Sequence, residues 1–328
     1  MLHWPYVSLI LCLLIEFAGL YRQEIDCKST TIIWIGKIYF AVSGKVCTFA
    51  AVKQKVILIT GASSGIGRDT AVALAAEGHR VYAAARRVEL MEPLKAKGIQ
   101  PIKMDVTDEG SIIDGVNLVL QREGRIDVLV NNAGYGYFGA VETVPMEEAR
   151  RQLEVNVFGM ACLCQLVLPR MRRQGSGRIV NVSSIAGRMV FPFGGWYHVS
   201  KYSVEALSDA LRMELKPFGI DVVLVEPGGI KTDWGVIAAQ HLKTSSSGTP
   251  YEADGTRFAG LMHRGYTSSL LSPPHAITRV LLRAVDSRRP KARYRAGRAS
   301  CLLVLLHSLL PTRCWDALMR RAVRIKLK

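Results

Sequence analysis

The stretch that decides the fold is Lys55-Val-Ile-Leu-Ile-Thr60, followed at once by Gly61-Ala-Ser-Ser-Gly-Ile-Gly67. A short, β-branched apolar run of this kind predicts a buried strand. The glycines after it permit a tight turn and a close approach of the backbone to a ligand. Helical character then continues to Glu77, and Gly78 is a fitting end for that helix. Because a helix start directs free N–H groups toward an anion, the stretch predicts a strand, a phosphate-binding turn and a helix.

The alternation of apolar strand and helix continues downstream. Further short apolar runs lie at residues 80–85, 99–104, 126–131, 178–182 and 220–226. Near-continuous apolar strands between helical stretches predict a parallel sheet that is covered on both faces. With right-handed crossovers, the expected fold is α/β, a single doubly wound Rossmann-type parallel sheet with helices on both faces.

Charge and hydropathy divide the chain of 328 residues into three parts. The formal net charge is +16, yet residues 283–328 alone hold thirteen Lys and Arg against two acids. We expect an atypical hydrophobic leader (1–52), a catalytic domain (53–285) with a substrate lid (233–275), and a basic amphipathic extension (286–328). The seven cysteines form no paired framework, which argues against a disulfide scaffold. No Cys/His cluster has the spacing of zinc ligands, so we expect no metal site.

The leader contains two apolar runs, at residues 4–15 and 32–52. The first ends at Glu16, and the second is interrupted by Lys37 and Lys45. Neither is a clean span of about 20 apolar residues, and no Lys or Arg precedes the first run. Three interpretations stay open: a membrane anchor, a segment lying on a membrane surface, and non-native sequence from a wrongly chosen start site.

The end of the second predicted strand indicates which dinucleotide would bind. NAD-binding proteins of this architecture usually place Asp or Glu there, about 20 residues after the glycines, to hold the ribose 2′-hydroxyl. This chain has Arg86 and Arg87 at that point. Because a guanidinium can pair with a 2′-phosphate, Arg86 favours NADP, with Arg87 in support.

A second informative stretch is Trp196-Tyr-His-Val-Ser-Lys201. Tyr197 and Lys201 are four residues apart and therefore share one face of a helix. A free phenol has a pKa of about 10, and a nearby ammonium would stabilise the phenolate and lower that pKa. Ser184 ends a predicted strand at the sheet edge where ligands bind. The pattern predicts proton transfer that accompanies reduction of a carbonyl or oxidation of an alcohol.

Taken together, these motifs resemble the short-chain dehydrogenase/reductase family, in its shorter form with TGxxxGxG and YxxxK. The resemblance is close over residues 55–235 and also rests on Asn131–Gly134, Asn156 and Pro227–Thr232. It implies an NADP-dependent enzyme that transfers a hydride, with NADPH in the direction of reduction, and acts on CH–OH groups of a small molecule.

The resemblance also implies a role for each catalytic side chain. Tyr197 is the implied general acid/base, and Lys201 is its pKa partner and holds the nicotinamide ribose. Ser184 orients the substrate oxygen, so Ser184 and Tyr197 contact the substrate, and Asn156 holds a proton-relay water. The implied cofactor-binding residues are Gly61, Ser63, Ser64, Gly65, Ile66, Gly67, Arg86, Asp105, Val106, Asn132, Ala133, Gly134, Tyr197, Lys201, Pro227, Gly228, Ile230 and Thr232.

Aromatic residues flank the catalytic motif on both sides. Two Phe and a Trp lie in residues 189–196, and Tyr135, Tyr137 and Phe138 follow the Asn-Asn-Ala-Gly motif. If they line one cavity, the substrate is a lipophilic carbonyl or alcohol, of steroid-like or retinoid-like character. Packing against the sheet edge is the alternative.

The basic tail permits two interpretations. Residues 301–310 are apolar but too few to span a bilayer; together with the basic helix after Pro311 they could lie on an anionic membrane surface. Alternatively, the tail covers the substrate pocket or a subunit interface. No motif supports nucleic-acid binding. We expect a cytoplasmic protein, with peripheral membrane contact left open, and the resemblance implies a homodimer or homotetramer through helices 145–173 and 196–217.

Two other functions are weighed against the oxidoreductase. A nucleotide-sugar epimerase also uses Tyr-x-x-x-Lys, but the Gly-x-x-x-Gly-x-Gly spacing argues against it. A non-catalytic NADP-binding or scaffold protein would be free to lose Asn156, Ser184, Tyr197 and Lys201, all of which are present.

Overall fold

The chain divides into two compact units, Met1–Gln54 and Lys55–Lys328. In the first unit, β1 (Ile32–Ile35) and β2 (Ile38–Ala41) pair antiparallel. The interpretations of the leader depend on residues outside the described ones, so they stay predictions. The computed structural model describes residues 32–35, 38–41, 54–268, 271–297 and 299–323.

The second unit is built around a seven-stranded parallel sheet with strand order β5-β4-β3-β6-β7-β8-β9. The expected doubly wound parallel sheet is therefore confirmed, and the order reverses between β3 and β6, where such sheets bind ligands. The strands are β3 (Val56–Thr60), β4 (Arg80–Ala85), β5 (Gln100–Lys103), β6 (Val128–Asn131), β7 (Gly177–Val182), β8 (Ile220–Pro227) and β9 (Arg293–Ala296).

Helices cover both faces of this sheet. Alternate side chains of β3 enter different cores: Ile57 and Ile59 belong to one apolar cluster and Leu58 to the other. The helices are α1 (Gly65–Ala76), α2 (Glu109–Glu123), α3 (Met146–Leu153), α4 (Gly159–Gln174), α5 (Gly195–Leu215), α6 (Asp233–Ser246), α7 (Glu252–Thr267), α8 (His275–Asp286), α9 (Ser300–Leu309) and α10 (Thr312–Ala322).

Strand β9 was not anticipated, because residues 286–328 were expected to lie outside the catalytic domain. It pairs in parallel with β8, from Leu224 opposite Arg293 to Pro227 opposite Ala296. Its sequence, Arg-Tyr-Arg-Ala, lacks the apolar run by which the other strands were recognised. The sheet is therefore completed by residues of the basic tail.

One described segment, Met146–Gln174, has the length and apolar character of a membrane-crossing helix, with a mean hydropathy of 1.3 in its most apolar window. Half of that window is buried inside the protein. Leu163, Val167 and Met171 of α4 are buried in the apolar core beside the sheet. The segment is therefore a core helix of this domain.

The region expected to form the substrate lid, residues 233–275, folds into α6 and α7, which pack against each other. Further along, the tail folds back onto the segment that precedes α5. Trp315 is buried with Ile185 and Met189, and its Nε1 donates a hydrogen bond to the carbonyl oxygen of Val190, 2.8 Å away. The described tail thus packs beside the region that leads to Tyr197.

Candidate active site

The glycine turn after β3 is packed so tightly that side chains are excluded. Gly61 has a φ of +66°, and a Cβ there would lie 2.8 Å from the Cα of Ala133. A Cβ on Gly67 would lie 2.4 Å from the Asn132 side-chain nitrogen. That nitrogen donates to the Thr60 carbonyl oxygen, 2.9 Å away. The turn is therefore held against the end of β6 and presents backbone to any ligand above it.

The start of α1 has the features of an anion site. Ser64 precedes the helix in an extended conformation, makes no side-chain capping hydrogen bond, and is followed by no acid in the first turn. The first N–H groups thus face outward unneutralised, as a pyrophosphate requires. Thr232 from the loop after β8 approaches this turn, since a Cβ on Gly65 would lie 3.6 Å from its methyl carbon. The predicted residues of both halves of a dinucleotide site therefore meet here.

The residues predicted to distinguish the two dinucleotides lie at the same edge. Arg86 and Arg87 are exposed immediately after β4, and the Arg87 guanidinium lies 3.4 Å from the Ser63 hydroxyl. Asp105 follows β5, but its carboxylate accepts hydrogen bonds from the backbone and hydroxyl of Thr107, at 3.0 and 2.8 Å. That carboxylate therefore stabilises its own turn, and its predicted adenine contact stays a prediction.

Tyr197 and Lys201 lie one turn apart on α5, and both are buried. The Lys201 Nζ donates to the Val182 carbonyl oxygen at 3.0 Å and lies 6.0 Å from the centre of the Tyr197 ring. Ser184 lies two residues after the end of β7; its Oγ accepts from the Ala186 N–H at 3.1 Å and lies 3.4 Å from the Pro227 carbonyl oxygen. The three predicted catalytic groups thus meet at the carboxyl edge of the sheet.

The pKa of Tyr197 departs from expectation. Burial raises it above its usual range, although interaction with the Ser184 hydroxyl acts in the opposite direction. Burial also lowers the pKa of Lys201 to about 8, against the effect of the nearby Glu205 carboxylate. The expected lowering of the phenol pKa by the ammonium is therefore wrong for this structure. Desolvation dominates, and the ammonium is directed at the Val182 carbonyl.

Asn156 lies in a turn of π-helix, Glu154–Phe158, between α3 and α4, and such turns are frequent at functional sites. Its side-chain nitrogen donates to the Tyr135 carbonyl oxygen and to the Ser200 hydroxyl, both at 2.9 Å. Its side-chain oxygen accepts from the Tyr135 N–H at 3.0 Å. The Ser200 hydroxyl in turn donates to the Tyr197 carbonyl oxygen at 2.8 Å. Asn156 thus ties α5 to the segment after β6.

A chain of buried charges continues behind Lys201 and was missed by the sequence analysis. Glu205 follows Lys201 by one turn, is buried, and accepts from the Arg293 Nε at 3.1 Å. Arg293 also donates to Asp209 at 2.6 Å and lies 3.1 Å from the fully buried Glu226. The positions 197, 201, 205 and 209 share a helical spacing of four. That spacing is the signal that could have revealed the chain of charges.

An aromatic cluster covers the other side of Tyr197. The phenol ring lies 5.0 Å from the ring of Trp234 on α6 and 5.6 Å from Phe138. Phe138 belongs to this cluster, as the sequence suggested, whereas Tyr137 instead stacks on His241 at 4.6 Å. The other aromatic members come from the segment before α5 and from α7 with the residue that precedes it: Phe191, Phe193, Tyr251 and Phe258.

Phe193 has a φ of +64°, a left-handed conformation that is strained for a bulky side chain. The strain is maintained because its ring is buried in the cluster and its carbonyl oxygen accepts from the Gly139 N–H at 2.9 Å. His198 fixes the same segment: its ring nitrogens bond the Ala186 carbonyl oxygen at 2.8 Å and the Phe191 N–H at 3.1 Å. Strain of this kind clusters where ligands are held.

Known proteins resemble this chain over most of its length. The family model described as short chain dehydrogenase matches residues 55–241. A Helicobacter pylori protein, probable short-chain type dehydrogenase/reductase VdlC, is 36% identical over 81% of this chain and 97% of its own length. The NADPH-dependent 3-dehydrocapnine reductase of Ornithobacterium rhinotracheale is 34% identical over 80% of this chain and 95% of its own.

Among solved structures, a short-chain dehydrogenase from Streptomyces avermitilis is 34% identical and superposes with a TM-score of 0.68. The match covers 83% of this chain and 98% of the other. The glycine turn, the edge that carries Ser184, and the Tyr197/Lys201 helix all lie within the residues that the family model matches. The chain therefore belongs to the short-chain dehydrogenase/reductase family of oxidoreductases, which bind a nicotinamide cofactor.

Proposed function

We propose that this protein is an NADP(H)-dependent oxidoreductase that interconverts a lipophilic carbonyl compound and its alcohol. One observation carries the proposal. A buried phenol, Tyr197, faces the Ser184 hydroxyl and lies one turn from a buried ammonium, Lys201. All three stand at the carboxyl edge of the sheet, which also carries the glycine turn. This arrangement can protonate or deprotonate an oxygen next to a bound nicotinamide.

When bound, the nicotinamide supplies or accepts the hydride at the substrate carbon. Tyr197 donates a proton to the carbonyl oxygen in reduction and accepts it in oxidation, while Ser184 orients that oxygen. Burial raises the pKa of Tyr197, so the phenol is neutral at neutral pH and carries the proton that reduction requires. Lys201, one turn further along α5, would hold the nicotinamide ribose. Asn156 holds the catalytic helix and, as proposed, the relay water.

The glycine turn fits a dinucleotide, since it leaves no room for a Cβ and opens a helix with unneutralised N–H groups. We propose that Gly61 to Gly67 hold the pyrophosphate. Arg86 then selects NADP by pairing with the 2′-phosphate of that cofactor, while Arg87 donates a hydrogen bond to the Ser63 hydroxyl. The name of the Ornithobacterium relative, which specifies NADPH, supports this choice. The remaining cofactor contacts are those already expected: Asp105, Val106, Asn132, Ala133, Gly134, Pro227, Gly228, Ile230 and Thr232.

The aromatic cluster supports a lipophilic substrate. Apolar and aromatic rings from Phe138, Phe191 and Trp234 surround the phenol and offer few polar groups for a sugar or an acid. A substrate would bind to such a lining mainly because apolar surface is removed from water. Trp234 lies so close to the phenol that α6 and α7 act as the cover of this site, the lid role expected for residues 233–275.

We further propose that the cytoplasmic enzyme is a homodimer or homotetramer, in line with the expected interface through helices 145–173 and 196–217. The observation in support is the run of exposed apolar side chains along these helices: Phe158, Val199, Tyr202 and Met213. Light scattering after size exclusion tests it, with Met213→Glu as the disruptive variant. A wild-type protein that is monomeric at all concentrations would refute the interface.

The experiment that tests the function is a carbonyl panel run in parallel with NADPH and NADH. The panel should extend from small aldehydes to steroid-like and retinoid-like ketones, with Tyr197→Phe as the inactive control. We expect turnover of lipophilic members and a preference for NADPH that Arg86→Glu reverses toward NADH. NADPH binding without turnover of any member would instead support a non-catalytic cofactor-binding protein.

A further inference from the structure

We propose that the C-terminal helices α9 and α10 form a docking surface for a bilayer that contains anionic phospholipid. The surface consists of an apolar stripe on α9 and the exposed arginines of α10. The stripe comprises Cys301, Leu305 and Leu309, at positions i, i+4 and i+8 of one helix face. Leu305 is 54% exposed and Leu309 71% exposed. A water-soluble helix normally shows polar residues on such a face.

The opposite face of α9 explains why the stripe needs a partner from outside. Val304 is buried against Ile185, Met189 and Trp315, so the domain already covers one side of this helix. Seven of the ten residues of α9 are apolar, and the polar ones are Ser300, His307 and Ser308. A helix so rich in apolar residues is mostly buried in a protein or lies in a membrane interface. Within the described residues, the domain covers only one side.

Charge selects the partner. Arg313, Arg320 and Arg321 are exposed on α10 beside a single acid, Asp316, and Leu318 on the same helix is 38% exposed. Residues 297–328 contain seven Lys and Arg against that one Asp. Two copies of so basic a segment would repel each other. Exposed leucines flanked by arginines instead match the acyl chains and headgroups of an anionic lipid surface.

The geometry points to surface contact rather than a span. Ten helical residues rise about 15 Å, half of the roughly 30 Å hydrocarbon thickness of a bilayer. The α9 helix therefore lies in the plane of the interface, with its stripe toward the acyl chains.

The docking surface contacts the chain segment that leads to Tyr197. Trp315 of α10 binds the carbonyl oxygen of Val190, and the Val190 side chain is itself 46% exposed. The next residue, Phe191, belongs to the aromatic cluster beside the phenol. A bilayer bound by the docking surface would therefore lie near the segment that carries Phe191, close to where a lipophilic substrate is used; this consequence rests on the proposed function.

Sedimentation with vesicles tests the docking of the full-length protein. Vesicles of phosphatidylcholine alone are compared with vesicles that also contain phosphatidylglycerol, at low and high salt. We expect binding to the anionic vesicles, weakened by salt. The variants Leu305→Glu/Leu309→Glu and Arg320→Glu/Arg321→Glu should each reduce it at least several-fold. A single Leu305→Glu variant is paired with the control Phe218→Glu, which places the same charge at an apolar side chain of similar exposure, 45% against 54%, outside the tail.

Two results would overturn the docking surface. One is wild-type protein that stays in the supernatant with anionic vesicles, or tail variants that bind as well as the control. The other is a wild-type assembly, seen by light scattering, that the leucine variants dissolve, because the stripe would then bind a second copy. Turnover of a water-soluble carbonyl is measured for every variant and should be unchanged, so failure of docking is distinguished from failure of the proposed reaction.

Discussion

The two sides of helix α5 differ in how they hold Tyr197, the proposed catalytic tyrosine. Behind it, polar groups form directional bonds: Asn156 to Ser200, Ser200 to the Tyr197 carbonyl, and Lys201 to the Val182 carbonyl. In front, Phe138 and Trp234 contact the phenol ring through apolar surfaces alone. Each buried hydrogen bond stabilises its geometry by about 1 kcal/mol and fixes direction as well as distance, whereas ring contacts tolerate rearrangement.

The difference separates two tasks. The rear of the helix fixes the position and the charge state of the proton-transferring groups, and this requirement is the same for every substrate. The front determines which molecules can reach those groups. We therefore expect changes behind Tyr197 to affect all substrates alike, and changes in front of it to alter the choice among substrates.

The largest effect is expected for Tyr197→Phe, which removes only the phenolic oxygen. General acid/base groups contribute about 10²- to 10⁴-fold to rate, so kcat should fall by that factor for every substrate. Cofactor binding, measured by fluorescence titration, should change little because the ring and its packing are kept. A variant that turned over at the wild-type rate would show that the proton comes from another group.

Glu205→Gln tests the rear at a distance from the substrate. The carboxylate opposes the lowering of the Lys201 pKa to about 8, so its removal should lower that pKa further. The alkaline limb of the pH profile of kcat/KM should then move to lower pH, because Lys201 would lose its charge at a lower pH. All substrates should be affected equally.

The matched control for this variant is Glu214→Gln, which makes the same change at an exposed glutamate on α5. Its pH profile should coincide with that of the wild type. If the two variants behave alike, Glu205 has no electrostatic role toward Lys201. If Glu205→Gln lowers the stability of the protein but keeps the wild-type pH profile, the role of Glu205 is only structural.

The sequence predicted the sheet well because buried parallel strands carry dense apolar runs. The first six strands of the large sheet were recognised from such runs, with ends displaced by one or two residues. Strand β9 escaped because its residues are arginines and a tyrosine, stabilised by pairing with Glu205, Asp209 and Glu226 from other elements. A strand that depends on distant carboxylates leaves no local periodicity to detect.

The same contrast holds for the site. The glycine turn and the Tyr197/Lys201 pair are each recognised from local spacing, and the structure brings the pair together with Ser184 at the same edge of the sheet as the glycine turn. The pKa direction of Tyr197 could not be predicted, because it depends on how deeply the folded chain buries the phenol. The contact of Trp234 with that ring likewise joins segments far apart in sequence.

Trp234→Ala tests the front of the site. Removing the indole enlarges the space beside the phenol. The kcat/KM of bulky substrates should therefore rise relative to that of small ones. Apolar contacts of this size discriminate by about 10- to 200-fold in kcat/KM, and we expect a change toward the lower end of that range. Kinetics on a homologous series of ketones measure it, with Ile237→Ala, an exposed change on the same helix, as the control. If kcat/KM instead falls by the same factor for every ketone, Trp234 acts like the groups behind Tyr197 and does not select among substrates.

The smallest effect concerns the segment that both sides share. His198 bonds the Ala186 carbonyl oxygen and the Phe191 N–H with its two ring nitrogens, which requires the neutral imidazole. Burial lowers its pKa below the ordinary value of about 6.5. The unfolded chain therefore takes up this proton at higher pH than the folded protein does. It follows that the contribution of His198 to stability is complete above pH 6.5 and declines as the pH falls below it.

Denaturant unfolding at several pH values between 5 and 8 measures this dependence, with His198→Gln and His263→Gln as the paired variants, because His263 is exposed. We expect the unfolding free energy of His198→Gln to fall less steeply below pH 6.5 than that of the wild type. The pH dependence of His263→Gln should match the wild type. If both variants keep the wild-type slope, the acid sensitivity arises from other groups. The hold of His198 on Phe191 would then not depend on its charge, and the aromatic front would be independent of pH in this range.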